Sequence, residues 1–347
     1  MYVIIAILIF GVLIAVHEFG HFITAKLCGV RVLEFAIGMG PAIWKKQGAE
    51  TLYSVRLLPI GGYCAMEGED SESDDPRAFT NQHPFKKMLI LVAGAGMNFL
   101  LGYLLVFIVL SGSFAQTTEI TGFMEGCPYE GEDALQVGDE FWKIDGHRIY
   151  ATGDISMYLA EGGDTHDIVV KRDGKKVTLE DMTITLLEYE GESQPRYGFY
   201  FQGEATGLTE KLQYSWYQSL YFVRMVWVSL GDLISGTYGV NDLSGVVGIV
   251  DMMSDVGNQS ASVYAAFMNL AYLTAFIAIN LAVMNLLPIP ALDGGRIFFL
   301  IILWPVEKLL GHKLNPKYEG YIHSAFLMLL MALMVYVMFN DVMRIVG

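Results

Sequence analysis

The stretch His17-Glu18-Phe19-Gly20-His21 lies within an apolar run that extends from Tyr2 to Phe22. On an α-helix, positions i and i+4 share one face, so both imidazoles can bind a single metal ion while the glutamate reaches its bound water. The run matches the length of about 20 residues that a bilayer core requires. It therefore predicts metal-dependent peptide hydrolysis within or beside the lipid. The alternative is two histidines packed in a helix bundle. It is disfavoured because ionisable groups at membrane depth are costly without a function.

The composition also indicates a membrane protein. The 347 residues are 53% hydrophobic, and the mean hydropathy is +0.42. Hydropathy predicts four spans of suitable length, namely Tyr2–Leu27, Met88–Leu110, Tyr264–Leu287 and His323–Phe339. The first is interpreted as a span rather than a cleaved signal peptide, because it lacks a basic n-region and a small-residue cleavage site. Cleavage would also sever the histidine motif.

The distribution of Lys and Arg predicts the orientation of the chain in the membrane. Basic residues cluster between spans one and two and between spans three and four. Both segments are therefore expected in the cytoplasm, with both termini and the long middle section outside. The residues are Lys26, Arg31, Lys45, Lys46, Arg56, Arg77, Lys86 and Lys87 in the first segment and Arg296, Lys308, Lys313 and Lys317 in the second.

The middle section, Gln116–Glu210, is acidic, with 20 acidic residues against 7 basic ones. It supplies most of the formal net charge of −15. This balance argues against nucleic acid as a partner and predicts a solvated domain with little attraction to anionic lipid. The three cysteines, Cys28, Cys64 and Cys127, form neither a disulfide framework nor a CxxC metal spacing.

Turn signals organise the polar parts of the chain. Leu58–Tyr63 predicts a strand, a tight Pro-Gly-Gly turn and a second strand, and Glu67–Asp75 predicts an acidic loop. In the middle section, Leu135–Gly146 predicts a strand between two turns, and Ile168–Leu179 predicts a hairpin closed at Asp-Gly. These signals indicate a small, mainly β domain of about ninety residues.

Two further segments follow the middle section. The aromatic stretch Tyr214–Ile234 predicts an interfacial helix rather than a fifth span, and Gly236–Gly257 predicts a loop with a short helix. In span two, Gly94–Asn98 offers small residues for close approach of another helix. Asn98 is expected to face protein, because an unsatisfied amide in hydrocarbon costs several kcal/mol.

A catalytic zinc site has three protein ligands and an open position for water. Asp293 is the strongest candidate for the third ligand, in the run Asn285-Leu286-Leu287-Pro288-Ile289-Pro290-Ala291-Leu292-Asp293-Gly294-Gly295. Two prolines interrupt the helix there, and irregular backbone at membrane depth is tolerated only where it is buried or lines a polar cavity. The alternative is a helix end followed by a loop that exposes the carboxylate. Two histidines and an aspartate would also accept divalent ions other than zinc.

Together these motifs resemble the site-2 protease family (M50-type) of intramembrane zinc metalloproteases. The resemblance rests on HEFGH in the first span, GAGMN in the second, NLLPIPALDGG after the third and a middle domain similar to a PDZ domain. It covers nearly the full chain, and the chain more closely resembles the bacterial branch that performs regulated intramembrane proteolysis with a single PDZ domain. It implies a zinc metalloendopeptidase of the bacterial cell membrane. Its implied partners are the lipid bilayer and single-span substrates such as anti-sigma factors or remnant signal peptides.

The resemblance also implies roles for individual residues. The implied zinc ligands are His17, His21 and Asp293. Glu18 is implied as the catalytic base. The implied substrate-binding residues are Asn285, Gly61, Gly62 and Tyr63, of which the last three would hold the substrate as an added β-strand.

The chain departs from the family pattern in three places. Ala95 stands where the second-span motif commonly has proline, and the later SGP-type motif reads Ser244-Gly245-Val246. Longer relatives carry two tandem PDZ domains, whereas this chain has room for one.

The expected fold is a multi-span α-helical membrane protein with about four transmembrane helices, a membrane-associated β-hairpin and an inserted extracytoplasmic, PDZ-like, mainly β domain. Residues 1–112 are expected to form the N-terminal membrane core, 113–205 the PDZ-like domain, 206–263 an interfacial amphipathic helix and loop, and 264–347 the C-terminal membrane core. Two other functions are consistent with parts of the pattern. One is a non-catalytic membrane PDZ adaptor. The other is a metal-dependent membrane hydrolase of another substrate class.

Overall fold

The computed structural model describes residues 2–69, 73–111, 115–192, 194–204, 207–310 and 316–346. The chain divides into two compact units. The membrane unit comprises Met1–Leu105 and Val228–Gly347, and the inserted unit comprises Val106–Trp227. The predicted domain boundaries at 112–113 and 205–206 fall outside the described residues.

The described residues form eight α-helices and eight β-strands. The helices are α1 (Tyr2–Leu27), α2 (Pro84–Ser111), α3 (Thr152–Glu161), α4 (Leu208–Ser235), α5 (Val246–Gln259), α6 (Val263–Asn285), α7 (Asp293–Leu310) and α8 (Pro316–Val346). The strands are β1 (Val32–Gln47), β2 (Leu52–Met66), β3 (Ala115–Phe123), β4 (Glu140–Ile144), β5 (His147–Arg148), β6 (Thr165–Arg172), β7 (Lys175–Thr183) and β8 (Phe199–Glu204).

Four helices in the described part of the chain are long and apolar enough to cross a membrane. They are α1, α2, α6 and Glu319–Ile345 of α8. They coincide with the four predicted spans, although α2 and α8 extend beyond the predicted ends. The aromatic helix α4 is not among them, and its position at the membrane surface stays a prediction.

The β-sheet of the membrane unit confirms the chain reversal predicted in Leu58–Tyr63 and contains a further turn that was not predicted. β1 and β2 are antiparallel, and the turn joins Gln47 to Leu52. Within β2, residues 52–55 run parallel to residues 34–37, whereas residues 62–65 run antiparallel to them, so the chain reverses direction between Val55 and Gly62. Gly61 has a φ of 90° and lies in this reversal, where glycine adopts positive φ at little steric cost. Residues 34–37 pair with both 52–55 and 62–65, so they lie in the centre of the sheet.

Two helices lie in segments that were predicted as a loop between spans three and four and as a loop with a short helix. The segment after Asp293 forms α7, which carries Arg296 and Lys308, whereas Lys313 lies outside the described residues. The second helix is α5, which is longer than expected. The carboxylate of Asp341 on α8 is 1% exposed and accepts hydrogen bonds from the N–H groups of Gly245 (3.0 Å) and Gly248 (2.8 Å). This distant cap satisfies the start of α5, so no local capping signal is needed.

The inserted unit contains a six-stranded sheet of order β7-β6-β4-β3-β8, with β5 paired to β4. Both predicted Asp-Gly turns are confirmed. Asp173 (φ 52°) and Gly174 (φ 76°) join β6 to β7, and Asp145 (φ 48°) and Gly146 (φ 81°) join β4 to β5. Positive φ at both central residues is typical of the turn that matches strand twist. The apolar core includes Ile120, Phe141, Ile144, Ile155, Ile168 and Val170.

A buried ion pair joins α3 to α4 within the inserted unit. The carboxylate of Asp154 is fully buried and accepts hydrogen bonds from the backbone N–H groups of Tyr150 and Ala151 at the start of α3. Arg224 of α4 donates to both carboxylate oxygens at 2.6 to 2.9 Å. The charge is thus paired and hydrogen-bonded, as burial requires.

Candidate metal centre

Helix α1 presents two faces to different neighbours. Gly20 packs against α2 so closely that a Cβ there would lie 2.9 Å from Cα of Gly94. His17 and His21 lie on this side of α1. On another side, a Cβ at Gly62 of β2 would lie 3.5 Å from Cγ of Glu18. Adjacent positions on an α-helix are about 100° apart, so the histidines face α2 while the glutamate faces β2.

Helix α2 positions the two imidazoles. A Cβ at Gly94 would lie 2.6 Å from Cε1 of His21 and 2.8 Å from Cε1 of His17, so only glycine leaves room for both rings. Nδ1 of His21 lies 2.9 Å from the carbonyl oxygen of Ile90. A carbonyl oxygen can only accept, so Nδ1–H donates and the lone pair is on Nε2. Asn98, one turn after Gly94, is 1% exposed, which confirms that it faces protein.

Asp293, the first residue of α7, completes a cluster of three side chains. Its Oδ2 atom lies 3.2 Å from Nε2 of His17 and 3.2 Å from Nε2 of His21, and the two Nε2 atoms are 3.1 Å apart. The exposed fractions of the side chains are 12% for His17, 9% for His21 and 19% for Asp293. The structure thus brings together, from two ends of the chain, the three candidate ligands of the sequence.

The donor set of this cluster suits a zinc ion. Oδ2 of Asp293 is buried, and within the described residues it accepts no hydrogen bond despite the two nearby imidazole nitrogens. The Nε2 lone pair of His21 points into the same small space. Converging lone pairs without donors are unfavourable unless a cation lies among them. Two imidazole nitrogens and one carboxylate oxygen are ligands that catalytic zinc takes, with a fourth position left for water.

The loop before Asp293 is held by contacts that sequence reasoning missed. A Cβ at Gly295 would lie 2.8 Å from Cα of Pro290, so the start of α7 packs directly on the loop backbone. Ala291 has a φ of 81°, and its N–H donates to Nδ1 of His323 on α8 at 2.9 Å. From the sequence, His323 was expected only as the first residue of the fourth predicted span. Nothing in its sequence context indicates this contact.

A second missed contact involves the acidic loop Glu67–Asp75, of which residues 70–72 lie outside the described residues. Glu69 forms an ion pair with Arg296 in the first turn of α7. The loop is therefore attached to the same turn that carries Asp293. Opposite charges in two polar segments are too common to predict such a pair from sequence.

The predicted substrate-binding residues occupy different positions. Gly61, Gly62 and Tyr63 lie in β2, and Gly62 is the one in contact with Glu18. The hydroxyl of Tyr63 accepts a hydrogen bond from Arg56, which also donates to Glu34 at 2.8 Å. Asn285 is the half-buried last residue of α6. The roles of these residues in substrate binding stay predictions.

Comparison with known proteins decides the family. The model of peptidase family M50 matches residues 5–333. The chain belongs to this family. A Clostridium perfringens relative, whose name places it among the zinc metalloproteases, is 37% identical over 99% of this chain and 98% of its own length. Zinc metalloprotease RasP of Bacillus licheniformis is 29% identical over 98% of each chain. Regulator of sigma-W protease RasP of Bacillus subtilis is 27% identical over 98% of this chain and 97% of its own length.

Family membership confirms the predicted class, the site-2 type of zinc metalloprotease, over nearly the whole chain. The apolar helices are consistent with the membrane location of that class. The converged cluster lies at two of the motifs on which the sequence resemblance rested, HEFGH and NLLPIPALDGG.

Proposed function

We propose that this M50 protein is an intramembrane zinc metalloendopeptidase that cleaves transmembrane segments. His17, His21 and Asp293 hold the metal, and Glu18 is the general base. The observation that carries this proposal is the convergence of three ligand atoms within 3.2 Å of one another, two of them on an apolar helix long enough to span the bilayer. All four residues are present, which disfavours the non-catalytic adaptor.

Different residues of the chain perform different steps of peptide hydrolysis. Zinc, when bound, supplies a Lewis acid that polarises the scissile carbonyl and makes water acidic near neutral pH. Glu18 takes a proton from the attacking water and later delivers it to the leaving amine. The hydrogen bond from His21 to Ile90 holds the ring so that Nε2 faces the metal position. Asn285 donates to the substrate backbone near the scissile bond.

The substrate binds as an extended strand on β2. The backbone carbonyls of a transmembrane helix accept intrahelical hydrogen bonds, so the helix must unwind before water can attack a peptide bond. Residues 62–65 pair with 34–37 on one side, and within the described residues no strand pairs with their other side. A Cβ at Gly62 would lie 3.5 Å from Cγ of Glu18, so a strand added at this edge would lie near the general base.

The substrate class and the orientation are further parts of the proposal. The name of the Bacillus subtilis relative refers to regulation of sigma-W, which supports single-span anti-sigma factors as substrates; remnant signal peptides are a second possibility of the same class. The basic segments lie in the cytoplasm of a bacterial cell. The inserted unit is extracytoplasmic and PDZ-like, supported by its antiparallel sheet and the helix α3.

The test compares Glu18→Gln with wild type and with Glu50→Gln, a carboxylate that pairs with Lys26 and Arg77 on the same unit. The proteins are purified in detergent, zinc is measured, and cleavage of a single-span model substrate is followed. We expect zinc in all three and cleavage by wild type and Glu50→Gln, with loss of at least about 100-fold in Glu18→Gln.

Other results would contradict specific parts of the proposal. Substantial turnover by Glu18→Gln would refute its role as base. Zinc without cleavage of single-span peptides would favour a hydrolase of another substrate class. Absence of zinc from the wild type would favour the adaptor.

A further inference from the structure

We propose that His323 is a positioning residue that holds the loop before Asp293 in the conformation required for metal binding. The inference rests on the proposed role of Asp293 as a ligand. It concerns a side chain on the last span, 30 positions away in the sequence, which belongs to neither motif.

The loop between α6 and α7 contains a strained residue. Ala291 has a φ of 81°, in the left-handed region that disfavours every residue with a Cβ. Such a conformation persists only where the surroundings hold it. The strain lies two residues before Asp293, so its release would move the carboxylate.

The N–H of Ala291 is the donor that links this loop to α8. Two neighbouring N–H groups donate within the loop itself. The N–H of Ile289 donates to the carbonyl oxygen of Leu287 at 2.7 Å, and the N–H of Leu292 donates to that of Ile289 at 3.1 Å. Pro288 and Pro290 have no N–H. The N–H of Ala291 instead donates to Nδ1 of His323 at 2.9 Å.

The ring of His323 is oriented by packing and charge. Because Nδ1 accepts, the ring proton is on Nε2, which makes no hydrogen bond within the described residues and faces a carboxylate oxygen of Glu319 at 3.7 Å, one turn earlier on α8. The ring of Phe299 on α7 packs on it with centroids 5.4 Å apart. The side chain of His323 is 16% exposed, so a water molecule has little access to replace it.

Close backbone packing transmits the position of the loop to Asp293. A Cβ at Gly294 would collide with the backbone of Leu286 and Leu287, and one at Gly295 with that of Ile289. The first turn of α7 therefore packs too closely on the loop to shift independently of it. A loop that relaxes at Ala291 carries the Asp293 carboxylate away from the two histidines.

The experiment uses the full chain and measures zinc affinity by chelator competition, with cleavage as a second readout. His323→Leu removes the acceptor and keeps an apolar side chain. His323→Asn is the matched control, because Oδ1 of asparagine, like Nδ1 of histidine, is bonded to Cγ. We expect zinc affinity to fall at least about 10-fold in His323→Leu, the size seen when a group orienting a ligand is lost, and about 3-fold or less in His323→Asn.

A second substitution tests whether strain is the cause. Glycine adopts positive φ without penalty, so Ala291→Gly alone is expected to change zinc affinity by about twofold at most. Added to His323→Leu, it should restore a large part of the lost affinity, a non-additivity that identifies coupled sites. A purely structural role of His323 would give no such rescue.

The outcomes separate this inference from the proposed function. Unchanged zinc affinity in His323→Leu, or equal losses in His323→Asn and His323→Leu without rescue by Ala291→Gly, would overturn the role of His323. Should His323→Leu fail to fold, the comparison of His323→Asn with wild type and the rescued double variant still decides. Asp293→Asn is included throughout. If it retains zinc, the proposed ligand set itself fails.

Discussion

Replacing Gly94 by alanine tests how tightly helix packing controls the metal centre. The new Cβ would lie 2.6 Å from Cε1 of His21 and 2.8 Å from Cε1 of His17, whereas ordinary contact begins at 3.4 Å. The ring of His21 must therefore withdraw by at least about 0.8 Å, since its Nε2 atom lies nearer still. It cannot do so freely, because Nδ1–H is bonded to the carbonyl of Ile90.

The expected magnitude follows from the displaced ligand. Overpacking of this kind costs about 1–3 kcal/mol, and misplacement of a reacting group by about 1 Å can reduce a rate by about 100-fold. We expect zinc affinity to fall by about 10- to 100-fold, equivalent to about 1.4–2.7 kcal/mol. Cleavage at saturating zinc should fall by a similar factor.

The matched control is Gly96→Ala on the same helix. A Cβ at Gly96 meets no atom within 4 Å. Both substitutions raise helix propensity by about 1 kcal/mol, so the difference between them isolates the contact with the histidines. Zinc affinity is measured by chelator competition and unfolding by loss of circular dichroism. Equal zinc affinity in the two variants would refute the view that Gly94 leaves space needed by the imidazoles.

Two further predictions concern the inserted unit. Arg224→Met leaves the buried charge of Asp154 unpaired and should cost about 3 kcal/mol of local stability. Lys171→Met breaks an exposed pair and should cost less than about 1 kcal/mol. Amide exchange of α3 is measured in both variants, and equal effects would contradict the stabilising role of the buried pair. Burial raises the pKa of Asp145, but hydrogen bonds from His166 and a backbone N–H outweigh it and hold that pKa below its usual value. A carboxyl group whose pKa is lowered by folding stabilises the fold at pH values above its unfolded pKa of about 3.9. This stabilisation is lost as pH falls through the folded pKa. Amide exchange near β4 should therefore accelerate on acidification below about pH 4, and Asp145→Asn should abolish this dependence.

Much of the candidate site was predictable because it depends on short-range rules. The period of the α-helix puts His17 and His21 on one face and Glu18 on the next. The double-proline break before Asp293 marked irregular backbone at membrane depth. The glycines of the second span indicated close packing, and Gly94 provides it.

Other features of the site could not be predicted from the sequence. The orientation of the His21 ring depends on a backbone carbonyl 69 positions away, and every residue type has such a carbonyl. The contact of His323 with Ala291 links two helices through a single N–H group. Contacts of this kind depend on where helices cross, and a single sequence without an alignment does not predict the positions of these crossings.

The sequence by itself determined the four apolar helices, the metal-binding motif and both Asp-Gly turns, since hydropathy, helical period and the sign of φ act over a few neighbouring residues. Only the tertiary structure decided that β1 and β2 join between Gln47 and Leu52, that a helix begins at Asp293, and that Asp341 caps α5. Strand register, buried caps and ligand convergence are set by packing between segments far apart in the chain. There the free energy of burial and of long-range hydrogen bonds decides the arrangement.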